Sequence, residues 1–200
     1  MPPLAWRAGK VAAAVRFQAV TALATLVRRR LADEGALRAA SDAGLLPLLH
    51  QCLDEDWYPD VRLAAAAVEG ALLGAVGGGL SDEQRRAAYG ELLKRLDDSS
   101  NQVRIAACAA LAALAASLPP SYCDTNAGYL AAGLVIHMDD SDPAVQEAAA
   151  AALEALAAVK PGPVAGEVWR ARERFRAKHY CDRVLAACSS SSGDGGGTAS

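Results

Sequence analysis

A valine followed by a long polar donor recurs along this chain at nearly constant spacing: Val15-Arg16, Val61-Arg62, Val103-Arg104 and Val145-Gln146, in steps of 46, 42 and 42 residues. Five residues before the last three valines stand Asp56, Asp98 and Asp140, and two before them stand Pro59, Asn101 and Pro143. Inside each unit the apolar residues keep helical period. A unit of that length has one greasy face and cannot bury it alone, so it must stack on neighbours of the same kind. The spacing therefore predicts an all-α fold, an α-solenoid of stacked antiparallel helix pairs.

The clearest unit is Glu91 to Leu118. Leu92, Leu93 and Leu96 share one helical face, because positions three and four apart are neighbours on a helix. Asp97-Asp98-Ser99-Ser100-Asn101 then supplies side chains that cap free backbone N–H groups. Val103, Ala106, Ala107, Ala110, Leu111, Leu114 and Leu118 form a second stripe, which Pro119-Pro120 ends. This order of leucine-rich helix, aspartate, turn, Val-Arg and Ala-rich helix resembles the HEAT repeat and the related armadillo repeat. Asp56, Asp98 and Asp140 are expected either to accept turn N–H groups or to meet the following repeat's arginine in a ladder with Arg62 and Arg104. Gln146 removes one charge from that column. The alternative is solvated turn residues, whose exposed pairs contribute only about 0–1 kcal/mol.

In order, Leu4 to Lys10 reads as the end of one helix and Val15 to Leu31 as the next, with Ala19, Ala22, Leu23, Leu26 and Val27 inward. Arg28, Arg29 and Arg30 in its last turn either offset the helix dipole or meet an acidic partner. Ala36 to Leu53 is an outer helix with a break near Gly44. Trp57 and Tyr58 stand in the turn after it, either as a partner contact or packed beneath the neighbouring repeat. Pro59 to Val76 follows, closed by Gly77-Gly78-Gly79 in left-handed backbone. Ser81 to Gln84 has the capping-box pattern. Tyr122 to Met138 and Pro143 to Val159 make the last regular pair.

Val164 to Cys188 is more basic and is expected to be a single capping helix that gives the solenoid a polar end. Trp169, Arg170 and Arg174 on it are further candidates for partner contact. Residues 1–188 thus form about four repeats plus the cap, and 189–200, SSSSGDGGGTAS, has nothing apolar to bury and is expected to be disordered.

Little in the sequence carries chemistry. The chain is 52% hydrophobic but 5% aromatic, which suits regular stacking of small side chains, and its net charge of −3 does not favour nucleic acid. No apolar run reaches the roughly 18 residues free of charge or turn signals that a membrane span requires, and the first residues lack a signal-peptide pattern. Five cysteines in no framework spacing fit a reducing cytoplasm. None of His50, His137 and His179 is followed by Glu, which sets the chain apart from the di-iron deoxyhypusine hydroxylases. His179, Cys181 and Cys188 are too few for a structural zinc site. The glycine runs at 77–79 and 195–197 lack the Lys-Ser/Thr of a phosphate loop. At opposite ends of one helix, Cys123 and His137 stand about 21 Å apart, too far for a nucleophile and its base. No catalytic, cofactor or metal residue is expected.

Four segments, AWRAGKVAAAVR (5–16), YGELLKRLDDSSNQVRIAA (89–107), HMDDSDPAVQEA (137–148) and RFRAKHYCDRVL (174–185), together resemble the C-terminal region of the dynein axonemal assembly factor 5 family of HEAT-repeat proteins. Gly90 stands where that family carries proline, which is expected to soften the helix start. The resemblance implies a cytoplasmic, non-enzymatic scaffold for preassembly of axonemal dynein arms of motile cilia and flagella. Its partners would be proteins: dynein arm subunits, other dynein assembly factors and chaperones. The alternative is a generic HEAT scaffold in trafficking or phosphatase regulation.

Overall fold

The computed structural model describes residues 2–55, 58–176 and 178–193, and among these it shows ten α-helices and no strand. The helices are α1 (Lys10–Arg28), α2 (Glu34–Asp42), α3 (Leu45–Leu53), α4 (Pro59–Val76), α5 (Asp82–Lys94), α6 (Asn101–Ala116), α7 (Asp124–Val135), α8 (Pro143–Ala157), α9 (Pro161–Arg172) and α10 (Lys178–Gly193). They fall into two compact units, one ending at Ser117 and one beginning at Leu118.

In the first unit α3 pairs with α4 and α5 with α6. The pairs stack in two rows, α3 on α5, and α1 on α4 on α6. Periodicity explains the inner row. Val61, Ala65, Val68 and Leu72 of α4, and Val103, Ala107, Ala110, Leu111 and Leu114 of α6, are fully or almost fully buried. Each buried Leu or Val contributes about 1.5–3 kcal/mol. Small residues set how closely α4 and α6 approach: a Cβ on Gly70 would stand 3.1 Å from Ala110 Cα. Pro59 occupies the first turn of α4, where its missing N–H costs nothing. Ser81 and Gln84 form the capping box of α5.

The second unit repeats the plan. α7 pairs with α8 and α9 with α10, while α7 packs on α9 and α8 on α10. Asp142 caps α8 by accepting the Ala144 N–H at 2.8 Å, and Val145, Ala149, Ala152, Leu153 and Leu156 form its buried stripe.

Several expectations change. The predicted helix at Leu4–Lys10 is only a 3-10 turn, Pro2–Leu4, because Gly9 takes φ +100° and α1 begins after it. On α1 the buried residues are Ala13, Arg16 and Val20, whereas Ala22 is exposed and Leu26 is 42% exposed. Of the stripe read as inward, Ala22 and Leu26 lie on the open side and Ala19, Leu23 and Val27 are half-buried, since α1 has apolar residues on two faces and α4 covers one. The outer helix expected over 36–53 is broken into α2 and α3 by Gly44 at φ +86°. Gly77–Gly79 is a right-handed 3-10 turn instead of a left-handed cap. Glycine is needed there because a Cβ on Gly77 would fall 2.1 Å from Ser117 Oγ. Gly90 lies inside α5 with open space around it, so it does not touch the helix start, which the capping box at Ser81 sets.

The segment 164–188 is two helices, not one capping helix. Val164, Val168 and Ala171 are buried on α9, and Cys181, Val184 and Cys188 on α10. On one continuous helix, ten residues at 100° each would leave Cys181 about 80° off the face of Ala171. The position in phase with Ala171 is Asp182, a carboxylate. A turn lets both faces be buried, fastened by Arg172 donating to Asp182 at 2.7 Å. α10 also runs into the serine tract expected to lack structure, as far as Gly193, where Ser189, Ser190 and Ser191 hydroxyls donate to carbonyls one turn back. The rest of the tail, 194–200, lies outside the described residues.

Candidate protein-interaction surface

The Val-Arg column is internal framework. Arg62 Nε donates to Asp98 Oδ2 at 2.6 Å and Nη2 to Oδ1 at 2.9 Å, with 9% and 2% of the two side chains exposed. Arg16 makes the equivalent contact to Glu55, with Nε to Oε2 at 3.0 Å. Asp98 therefore meets the arginine of the preceding repeat, not of a following one. The predicted Asp56 lies outside the described residues, and in its turn Glu55 is the acid that is used. All four column residues also reach back to a carbonyl before their own helix: Arg16 to Arg7, Arg62 to Glu55, Arg104 to Leu96 and Gln146 to Asp140. Gln146 keeps that tether without the charge. Asp98 and Asp140 each accept a backbone N–H two residues on, from Ser100 and Asp142. Burial pushes the Asp98 carboxyl up, but the hydrogen bonds from Arg62 and the Ser100 N–H outweigh it and hold it below the usual range.

The exposed aromatic and basic side chains lie elsewhere. Tyr58 is 38% exposed and stacks on Phe17 of α1, centroids 6.0 Å apart. The neighbouring Trp57 lies outside the described residues. The Phe17–Tyr58 stack stands at one end of a groove of about 560 Å³ between α1 and α4. In the second unit Trp169 is 61% exposed with the Arg172 guanidinium 6.0 Å from its ring centroid. Arg170 is exposed and paired with Glu167, and Arg174 is exposed at the turn between α9 and α10. Trp169 and Arg170 lie on α9, with Arg174 two residues beyond its end; Tyr58 belongs to the other unit. Sequence reasoning missed Tyr129, exposed on α7 beside a shallow groove that Arg170 also lines. Its signal was available, because the stripe Ala127, Leu130, Ala131 and Leu134 leaves position 129 on the outside.

The buried polar groups have structural duties. His50 Nε2 lies 3.1 Å from Glu69 Oε1 between α3 and α4, and burial holds the Glu69 carboxyl above its ordinary range. Among the described residues no group of three or more His, Cys, Asp and Glu side chains is placed to hold a metal ion. Cys123 and His137 sit at opposite ends of α7. Two helical runs, Lys10–Arg28 and Pro59–Gly79, are long and apolar enough to cross a membrane by length and composition, each with mean hydropathy 1.4. The second is 61% buried in the fold and the first 17%.

Comparison with known proteins agrees with this geometry. The HEAT repeat family model matches residues 89–118, the end of α5 with its turn and α6. A computationally designed armadillo repeat protein for modular peptide recognition superposes with a TM-score of 0.63 over 93% of this chain and 79% of its own, at 21% identity. An engineered protein superposes at 0.64 over 88% and 74%, also at 21% identity. The fold is a HEAT/armadillo-like α-solenoid. In sequence the chain resembles dynein axonemal assembly factor 5. The human protein is 36% identical over 102 residues and that of Xenopus laevis 34% over 103. Those matches take in 51% and 52% of this chain but 12% of each relative, so the chain matches only a small part of either relative's length.

Proposed function

We propose that this chain is a non-enzymatic scaffold for the cytoplasmic preassembly of axonemal dynein arms. It holds proteins, namely dynein arm subunits, other assembly factors and chaperones. The observation that carries this reading is the 36% identity to dynein axonemal assembly factor 5 over half the chain, on a fold whose regular helix stack suits extended protein contacts. Its buried ion pairs brace turns and leave the outer side chains for recognition. Tyr58, Trp169, Arg170 and Arg174 are of the residue types that dominate protein interfaces. The experiment is affinity capture of the tagged chain from the cytoplasm of cells assembling motile cilia. Dynein arm chains and co-assembly factors are the expected catch. Recovery of only trafficking components or phosphatase subunits would overturn the reading in favour of a generic HEAT scaffold.

A further inference from the structure

We infer that the groove between α1 and α4 docks an amphipathic helix of a partner protein, lying antiparallel to α1 with acidic residues in its first turn. The inference rests on reading the chain as a protein-interaction scaffold and names the surface and the chemistry of its partner.

Phe17, Thr21, Ala24 and Val27 of α1 face Leu63 and Ala67 of α4 across the groove, which is mainly apolar. From Phe17 to Arg28 it runs eleven residues, about 17 Å, room for about three turns of a docked helix. The surface is concave and framed by two helices, which suits a rod better than a flat membrane.

The two ends of the groove differ in charge. Asp60, in the first turn of α4, lines it beside Phe17, and Arg28 lines the other end. Arg28, Arg29 and Arg30 are all exposed, and none of their side chains pairs with an acid among the described residues. The nearest acids in sequence are committed elsewhere, Asp33 to capping α2 and Glu34 to Arg38. Three formal charges far exceed the roughly half charge at a helix C-terminus. Complementarity therefore calls for carboxylates at that end, and an antiparallel helix brings its N-terminal turn there.

Arg30 supplies a second, independent observation. It takes φ +54°, left-handed backbone at the helix end, with its N–H on Val27 O and the Leu31 N–H on Leu26 O. Glycine is the residue that ends helices this way without strain. Arginine there carries backbone strain that glycine would avoid, which agrees with a use for its side chain.

The test uses the 200-residue chain and two labelled 15-residue Ala/Leu amphipathic peptides, one with three Glu in its first turn and a twin with Lys there, read by fluorescence anisotropy. The acidic peptide is expected to bind at least about tenfold tighter than its twin, and less tightly as salt rises. Ala67→Trp, at an exposed site, fills the groove and is expected to weaken binding at least about tenfold. Arg30→Gly is expected to raise the melting temperature while lowering affinity about threefold, a combination that misfolding cannot produce. Equal binding of the twins, no binding of either, or indifference to Ala67→Trp would overturn the inference. So would preferential binding to phosphatidylserine vesicles. If Ala67→Trp still captures dynein arm chains from cells, the scaffold reading stands and this groove is not its site.

Discussion

Arg62→Ala gives the most direct access to what holds neighbouring repeats together. The substitution removes two hydrogen bonds to Asp98 and one to the Glu55 carbonyl. It leaves the Asp98 carboxylate, 2% exposed, with the Ser100 N–H as its remaining hydrogen bond among the described residues. Stranding one member of a buried pair costs about 3–5 kcal/mol, whereas an exposed pair is worth about 0–1 kcal/mol; the burial places this pair in the first class. Urea denaturation of the single variants Arg62→Ala and Asp98→Ala, and of the double variant, measures both the cost and the coupling. The double variant should recover about 0.5–3 kcal/mol relative to the sum of the singles. Protonation provides a second reading. Asp98 has its folded-state pKa lowered, so its contribution is present above the unfolded aspartate value of about 3.9 and is lost as pH falls through the lower folded value. Arg62→Ala should flatten that acid limb. A cost below about 1 kcal/mol with strict additivity would refute the claim that this pair clamps adjacent repeats.

Three further perturbations test other parts of the fold. Gly77→Ala places a Cβ 2.1 Å from Ser117 Oγ and 2.9 Å from Ser117 Cβ, and should cost about 1–3 kcal/mol by overpacking; thermal melts should show recovery when Ser117→Gly is added. Gly90→Ala fills open space inside α5 and should stabilise by about 0.5–1 kcal/mol, read as a rise in the denaturation midpoint. Glu69 has its folded pKa raised by burial, opposed in part by His50. Stability tied to it is therefore full below the unfolded glutamate pKa of about 4.3 and is lost as pH rises through the higher folded value. Denaturation midpoints across that window should fall less steeply in Glu69→Gln than in the parent chain, and identical slopes would refute the assignment.

The recurrence of Val61, Val103 and Val145 and the stripes behind them sufficed for the fold, because each unit's pattern is local and the same packing solution is used again. Turn chemistry was equally legible: Ser81 and Pro59 act through neighbours a few residues away. The candidate surface was read less well. Tyr58, Trp169 and Arg170 stood out by residue type, but Tyr129 had to be found from the phase of α7, and of the α1–α4 groove the sequence showed only the basic end, Arg28 to Arg30.

The sequence by itself determined the repeat, its helix pairs and the residues that start and stop most of them, since these follow from backbone hydrogen bonding and periodicity within about forty residues. Only the tertiary structure decided which apolar face of α1 is covered, that Asp98 takes the arginine of the preceding repeat, and that 164–188 turns to make a pair. Each of these depends on which distant helix lies alongside, and a helix with two apolar faces carries no local mark of which neighbour will claim one of them.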